Sequence, residues 1–271
     1  MKRLESVSGR AFAIFTVSVL IACATVPLTG RRTFDLVPDS QVIALANDQY
    51  GEVLKKSQLS QDSAKVQMVQ RVGQKIASAT ETFLKQNNQA DEIKDFIWQF
   101  SLIQDDKTVN AWAMPGGKVA VYTGLLPVTQ DENGLAVVLG HEIAHAIAKH
   151  GNERMSQGLI AQLGGVGLSV ALAQQPAATQ QLFQTAYGVG ANVGFLLPYS
   201  RVQENEADRI GLVLMALAGY DPRNAVPLWQ RMAAQGGART PEFLSTHPNP
   251  QSRIENIKSL IPEAMKYYRP Q

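Results

Sequence analysis

One cysteine, Cys23, stands among 271 residues. A lone cysteine cannot close an internal disulfide, and it excludes a structural zinc site built from several thiolates. Excess charge of one sign is also missing: 25 basic residues face 23 acidic ones, and no basic run occurs. That balance removes the electrostatic footprint of a nucleic-acid-binding protein. Histidine is scarce, with His141, His145, His150 and His247 the only four, yet three of them lie within ten residues. At 45% hydrophobic and 18% charged, the composition is that of a globular chain rather than a disordered one.

The first segment reads as an export signal. Lys2, Arg3 and Arg10 form a positive head before an apolar run over residues 11–22. That run is short for a bilayer span but suits a signal-peptide core; an N-terminal membrane anchor or an ordinary cleaved signal are the competing readings. Leu20-Ile21-Ala22-Cys23 resembles the lipobox of bacterial lipoproteins, which implies a lipid on Cys23 as the first residue of the mature chain. Ala24 stands where an aspartate causes inner-membrane retention in many such lipoproteins, so outer-membrane sorting is expected. Without residues 1–22 the basic and acidic residues balance, so the small positive charge belongs to the signal.

Residues 23–40 carry Pro, Gly and charge without periodicity and read as a lipidated N-terminus and tether. A single domain is expected over residues 41–271. Helical spacing appears at 41–57 and 62–86. Strands are expected at 96–104, 109–114 and 118–123, with Pro115-Gly116-Gly117 turning the chain between the last two. Thr129 with Glu132 fits a capping box for a helix running to about His150. Further helices are expected at about 200–218, after Asp221-Pro222 and after Asn249-Pro250. Few strands and many helices make a helix-dominated α+β domain with a small sheet beside the central helix.

His141-Glu142-Ile143-Ala144-His145 carries the chemistry. Histidines four apart on a helix are separated by about 40° round the axis, so both imidazoles can hold one Zn²⁺. Glu142 is displaced by about 100°, within reach of a water on the metal but not placed as a third ligand. A shuffled chain of this composition would contain the pattern with expectation about 0.003, which argues against coincidence. A catalytic site needs a third protein ligand and an open position. His150 lies about 180° from His141 on the same helix and faces away unless the helix breaks; it reads as a residue compensating the helix C-terminus. Glu204, in Glu204-Asn205-Glu206-Ala207-Asp208, is the better third ligand. Asp208 shares its face and can orient a ligating histidine, whereas Glu206 falls to a solvated face or a local salt bridge.

These motifs together resemble the M48 family of gluzincin metallopeptidases, which includes the CAAX prenyl proteases and bacterial periplasmic lipoproteins. Asn110-Ala111-Trp112-Ala113-Met114-Pro115-Gly116-Gly117 is similar to the strand motif before the family's zinc helix. Pro198-Tyr199-Ser200-Arg201 precedes the acidic motif as in many members, and Thr246-His247-Pro248 with Arg253 is similar to a late family motif. The resemblance implies a zincin-like fold and a zinc-dependent endopeptidase. Its ligands would be His141, His145 and Glu204, and its general base Glu142. Multiple membrane-spanning helices and a helical-repeat domain, found in some branches, have no counterpart here, so the short lipoprotein branch is the best match.

The same resemblance places His247 and Arg253 near the metal as candidate catalytic residues that steady the oxyanion. His247 has two further readings, as a fourth zinc ligand that holds the enzyme latent and as a residue that only packs. The Gly236-Gly237 loop ahead of it motivates the latent form. Asn110, Ala111, Trp112 and Ala113 could bind substrate by strand addition, or simply form a core strand. Residues 155–200 carry no charged side chain; a buried helical pair is favoured there over a lid or a membrane contact. The expected function is hydrolysis of misfolded or misassembled envelope proteins, on the periplasmic face of the outer membrane of a Gram-negative bacterium. The rival is a non-proteolytic chaperone or assembly factor of the same fold, against which an intact Glu142 argues.

Overall fold

Three short strands separate two apolar clusters. In a computed structural model, the described residues are 23–163, 176–187, 199–235, 242–247 and 250–270. The signal segment therefore lies outside them, as do the Gly236-Gly237 loop and residues 188–198.

Strands β3 (Gln99–Ile103), β4 (Ala111–Met114) and β5 (Lys118–Tyr122) form a sheet in the order β3-β5-β4. The β3–β5 pair is parallel and β4–β5 antiparallel. Gly116 and Gly117 both take left-handed backbone, φ 83° and 79°, which lets the chain reverse between β4 and β5. All of β5 is buried because it is the middle strand with both faces covered. Its Val119 and Val121 join one cluster with Leu102, Ala111 and Ala113. Its Ala120 and Tyr122 join the other with Ile103, Trp112 and Met114. This is the two-residue side-chain period of a strand, used on both faces.

On the first face lie α2 (Ser63–Gln86) and α3 (Glu132–Ile147), with α6 (Arg201–Leu217) packed on α3. On the second face lie α1 (Asp39–Lys56), α4 (His150–Leu163) and α5 (Pro176–Tyr187). Helices α7 (Ala225–Ala234), α8 (Glu242–Thr246) and α9 (Pro250–Ala264) close the chain. No helix among the described residues is long and apolar enough to cross a membrane.

Three expectations change. The aperiodic stretch read as a tether is folded: β1 (Cys23–Thr25) and β2 (Arg32–Phe34) pair as a hairpin, and Val26 and Val37 are buried beside it. Strands of three residues are too short to show a period. The start of α3 is capped by Asp131, which accepts from the Gly134 N–H at 2.9 Å, and not by a Thr129–Glu132 box. Thr129 instead ends the preceding short helix, its hydroxyl donating to the Leu126 carbonyl. Glu132 accepts from Arg71. Finally, α3 stops at Ile147 rather than His150, because Lys149 is left-handed at φ 55°. For residues 155–200, α4 and α5 pack through Met155, Leu159, Leu182 and Phe183, and the remaining stretches at 164–175 and 188–198 lie outside the described residues.

Candidate active site

Helix α3 is buried from Gly134 to its end, so its two histidines face the interior. Helix α6 begins at Ser200 with a full capping box to Gln203, which sets the register that brings Glu204 and Asp208 to α3. His247, directly after α8, brings a further imidazole, its N–H bonded to the Phe243 carbonyl at 2.9 Å. One ligand atom each from His141, His145, Glu204 and His247 lies within 4.8 Å of the others.

The inner spacings are tighter. His145 Nε2 is 3.0 Å from His141 Nε2, and His141 Nε2 is 3.2 Å from His247 Nδ1. Glu204 Oε1 lies 2.9 Å from His247 Nδ1 and 3.3 Å from His145 Nε2. Ligands bound tetrahedrally to zinc at about 2.0–2.1 Å stand about 3.3 Å apart, which is the spacing of this set. Hydrogen bonds alone cannot satisfy three imidazole nitrogens and a carboxylate turned toward one point, since neutral imidazole offers a single N–H. The donor set therefore fits zinc.

Electrostatics agree with that reading. Burial drives the His141 and His145 pKa values well below the ordinary range, leaving neutral rings, the form that ligates metal. Burial pushes the Glu204 carboxyl up, but His247 and Arg253 outweigh it and hold the group ionised. Asp208 Oδ1 sits 3.1 Å from His141 Nδ1, where it can accept that ring's second N–H.

Glu142 is buried beside this cluster, with Oε1 3.4 Å from His247 Nε2. Burial raises its pKa to about 7, where a carboxylate can both take and return a proton near neutrality. A cleft runs past it, lined by residues 110–114 of the β4 side, Tyr199, Arg154 and His247. Strand β4 is an edge of its sheet. Trp112 turns away into the second cluster against Tyr50, so recognition along this edge would use main chain. The Asn110 side chain is tied to Glu242 at 3.1 Å.

Arg253 is placed differently from the oxyanion donor expected of it. It is buried behind the ligands, its Nε 2.9 Å from Asp208 Oδ2 and its Nη1 2.7 Å from Glu204 Oε2. Its guanidinium stacks on Trp229 at 3.6 Å. It steadies two acidic groups and does not line the cleft. Two residues given no role from sequence do line it. Tyr199 packs on His145 with ring centroids 3.9 Å apart and planes inclined by 32°, and Arg154 lies 3.7 Å over the Tyr199 ring. Burial lifts the Tyr199 hydroxyl to about 12, so it keeps its proton for donation. Tyr199 belongs to the Pro198-Tyr199-Ser200-Arg201 motif, but only the fold brings it to His145.

His150 and Glu206 also correct the sequence reading. The break at Lys149 brings His150 back to His145, and Glu206 is buried against His150 and in a salt bridge with the distant Arg31, neither solvated nor locally paired.

Residues 63–261 match peptidase family M48. The mitochondrial metalloendopeptidase OMA1 of Schizosaccharomyces pombe is 36% identical over 97% of this chain and 74% of its own length. Human mitochondrial metalloendopeptidase OMA1 is 32% identical over 93% of this chain, which spans about half (48%) of that protein. The beta-barrel assembly-enhancing protease of Yersinia pestis is 33% identical over 60% of this chain and 34% of its own length.

Proposed function

The chain belongs to peptidase family M48, a family of zinc metallopeptidases, and from that premise we propose that His141, His145 and Glu204 hold the zinc with Glu142 as general base. The single observation that carries this is the convergence of the donor atoms, with the Glu142 carboxylate beside them. When bound, zinc supplies Lewis acidity and makes water a nucleophile near neutral pH.

The chain's own residues do the rest. A substrate segment lies along the β4 edge, held by main-chain hydrogen bonds that read little of its sequence. Glu142 takes the proton of the attacking water and delivers it to the leaving amine. Tyr199, protonated at working pH, faces the cleft and donates to the carbonyl oxygen as it gains charge. His141 is held in one tautomer by Asp208, and Arg253 keeps Asp208 and Glu204 ionised and in place.

His247 supplies a fourth donor atom to the same point. Four protein ligands would close a zinc site, so with His247 bound the enzyme would be latent until that side chain withdraws. Substrates are unfolded or misassembled proteins of the bacterial envelope, and the chain is held at the periplasmic face of the outer membrane by lipid on Cys23. Main-chain recognition at the β4 edge and the signal-and-cysteine pattern of residues 1–23 support this.

Cleavage of unfolded casein by wild type, Glu142→Gln and a chelated sample tests the chemistry. Turnover is expected in the first alone, and equal turnover in all three would overturn the protease reading. Incorporation of labelled palmitate in cells tests the anchor; a Cys23→Ser chain that labels as strongly as wild type removes it.

A further inference from the structure

His150 is completely buried and begins α4 immediately after the left-handed Lys149. A lysine seldom adopts that backbone region, where its Cβ crowds the following carbonyl. It is held there by carboxylates: its Nζ lies 2.7 Å from Asp39, 2.8 Å from Glu92 and 3.4 Å from Asp35. The turn folds His150 back, so that its Nδ1 is 2.8 Å from His145 Nδ1. On its far side, His150 Nε2 is 3.3 Å from Glu206 Oε2. Glu206 accepts two further bonds, from Arg31 Nε at 2.7 Å and from the Thr29 hydroxyl at 2.7 Å. Thr29 and Arg31 belong to the turn of the N-terminal hairpin, closed by Val26 N–H to the Arg31 carbonyl and Gly30 N–H to the Val26 carbonyl.

The hydrogens can be assigned in only one direction if His145 ligates through Nε2. Its proton is then on Nδ1 and donates to His150 Nδ1. His150 must carry its own proton on Nε2, and donates it to Glu206. A metal-bound histidine ordinarily gives its second N–H to a carboxylate or carbonyl, as His141 does to Asp208. For His145 the carboxylate stands one residue further away, and its other partners come from the opposite end of the chain.

We propose that His150 and Glu206 are positioning residues for His145, and that Thr29 and Arg31 complete the row. Zinc affinity and docking of the N-terminal hairpin are thereby coupled. The inference rests on the zinc reading above. It makes the segment directly after Cys23 a working part of the metal site, so strain on the anchored end is felt at the zinc.

The test uses the full chain, with zinc affinity measured by competition against a chromogenic chelator and thermal melting of the zinc-free protein as the check on folding. His150→Phe keeps an aromatic ring but no acceptor, and is expected to bind zinc about 10–100-fold more weakly. His150→Asn restores an acceptor toward His145 and is expected to recover most of that loss, which a packing role would not produce. Glu206→Gln, nearly isosteric, is expected to weaken zinc about tenfold and carries the test should His150→Phe not fold. By reciprocity, zinc should slow hydrogen exchange of the Val26 and Gly30 amides in wild type, and less so in the His150 and Glu206 variants. Wild-type affinity in His150→Phe and Glu206→Gln, or hairpin exchange indifferent to zinc, overturns the proposal. A wild type that takes up no zinc overturns the reading beneath it as well, and that result is distinct from normal uptake with unaltered variants.

Discussion

Gly140 and Gly211 meet backbone to backbone where α3 crosses α6. A Cβ on Gly140 would stand 2.8 Å from the Gly211 carbonyl oxygen, and one on Gly211 would stand 2.8 Å from both the Gly140 carbonyl carbon and the His141 nitrogen. The two helices that carry the metal-site residues can approach this closely only because both positions lack a side chain. His141 follows Gly140 directly, and Asp208 lies one turn before Gly211, so this contact sets their 3.1 Å separation. Gly211→Ala should therefore cost about 1–3 kcal/mol, as overpacking against rigid backbone does, and should weaken zinc binding as well. Urea unfolding measures the first effect and chelator competition the second. An unchanged midpoint would mean that the helices part without penalty.

Glu142 should separate metal binding from chemistry. Its carboxylate touches His247 and is absent from the group of donor atoms that converge on one point. Glu142→Gln keeps the shape and removes the base. It should take up zinc with wild-type affinity and show the same zinc-induced rise in melting temperature. Its peptide hydrolysis should fall about 10²–10⁴-fold, the range for loss of a general base. A parallel loss of zinc would place Glu142 among the ligands and refute the assignment.

What the sequence revealed and what it hid follow from locality. His141, His145, Glu204 and Asp208 were legible because helical spacing alone puts each pair on one face, and their helices form where expected. His150 was not, because the break that redirects it depends on Lys149 meeting Asp35, Asp39 and Glu92, residues far apart in the chain. Glu206 reads from sequence as solvated or locally paired, because its actual cation, Arg31, is 175 residues away in a hairpin whose three-residue strands leave no periodic trace. Arg253 is expected from sequence to face substrate, since nothing local announces that Asp208, Glu204 and Trp229 enclose it. Tyr199 and Arg154 form their stack only after α4 and the start of α6 meet.

Acid sensitivity should trace in part to Glu153. Burial pushes its carboxyl up, but Arg31, Gln203 and Thr33 outweigh that and bring it down to about 2. Arg31 contacts it through two nitrogens, at 2.7 and 2.8 Å. A carboxylate depressed on folding stabilises the protein fully above its unfolded pKa of about 4.3, and that contribution is lost as pH falls toward the folded value. Wild type should thus lose stability between about pH 5 and pH 2 more steeply than Glu153→Gln. Melting temperature against pH for both chains checks the difference, and superimposable slopes would show that the ion pair contributes nothing.

His247 decides whether the site as described is at work or at rest. Its Nδ1 lies 2.9 Å from Glu204 and 3.2 Å from His141 Nε2, while its Nε2 lies 3.4 Å from Glu142. With zinc bound, a residue so placed would compete with water for the metal, and it also touches the proposed base, Glu142. His247→Ala removes one donor atom and leaves three, the usual number for a catalytic zinc site. Zinc affinity should fall, because a ligand is lost, while casein turnover at saturating zinc should rise above that of wild type. Opposite movement of the two quantities is the signature, since a residue that only assists catalysis would lower turnover and one that merely packs would raise neither. Turnover equal to or below wild type across zinc concentrations would refute latency; a fall would return His247 to the role of a donor toward the substrate carbonyl, and no change would leave it a packing residue.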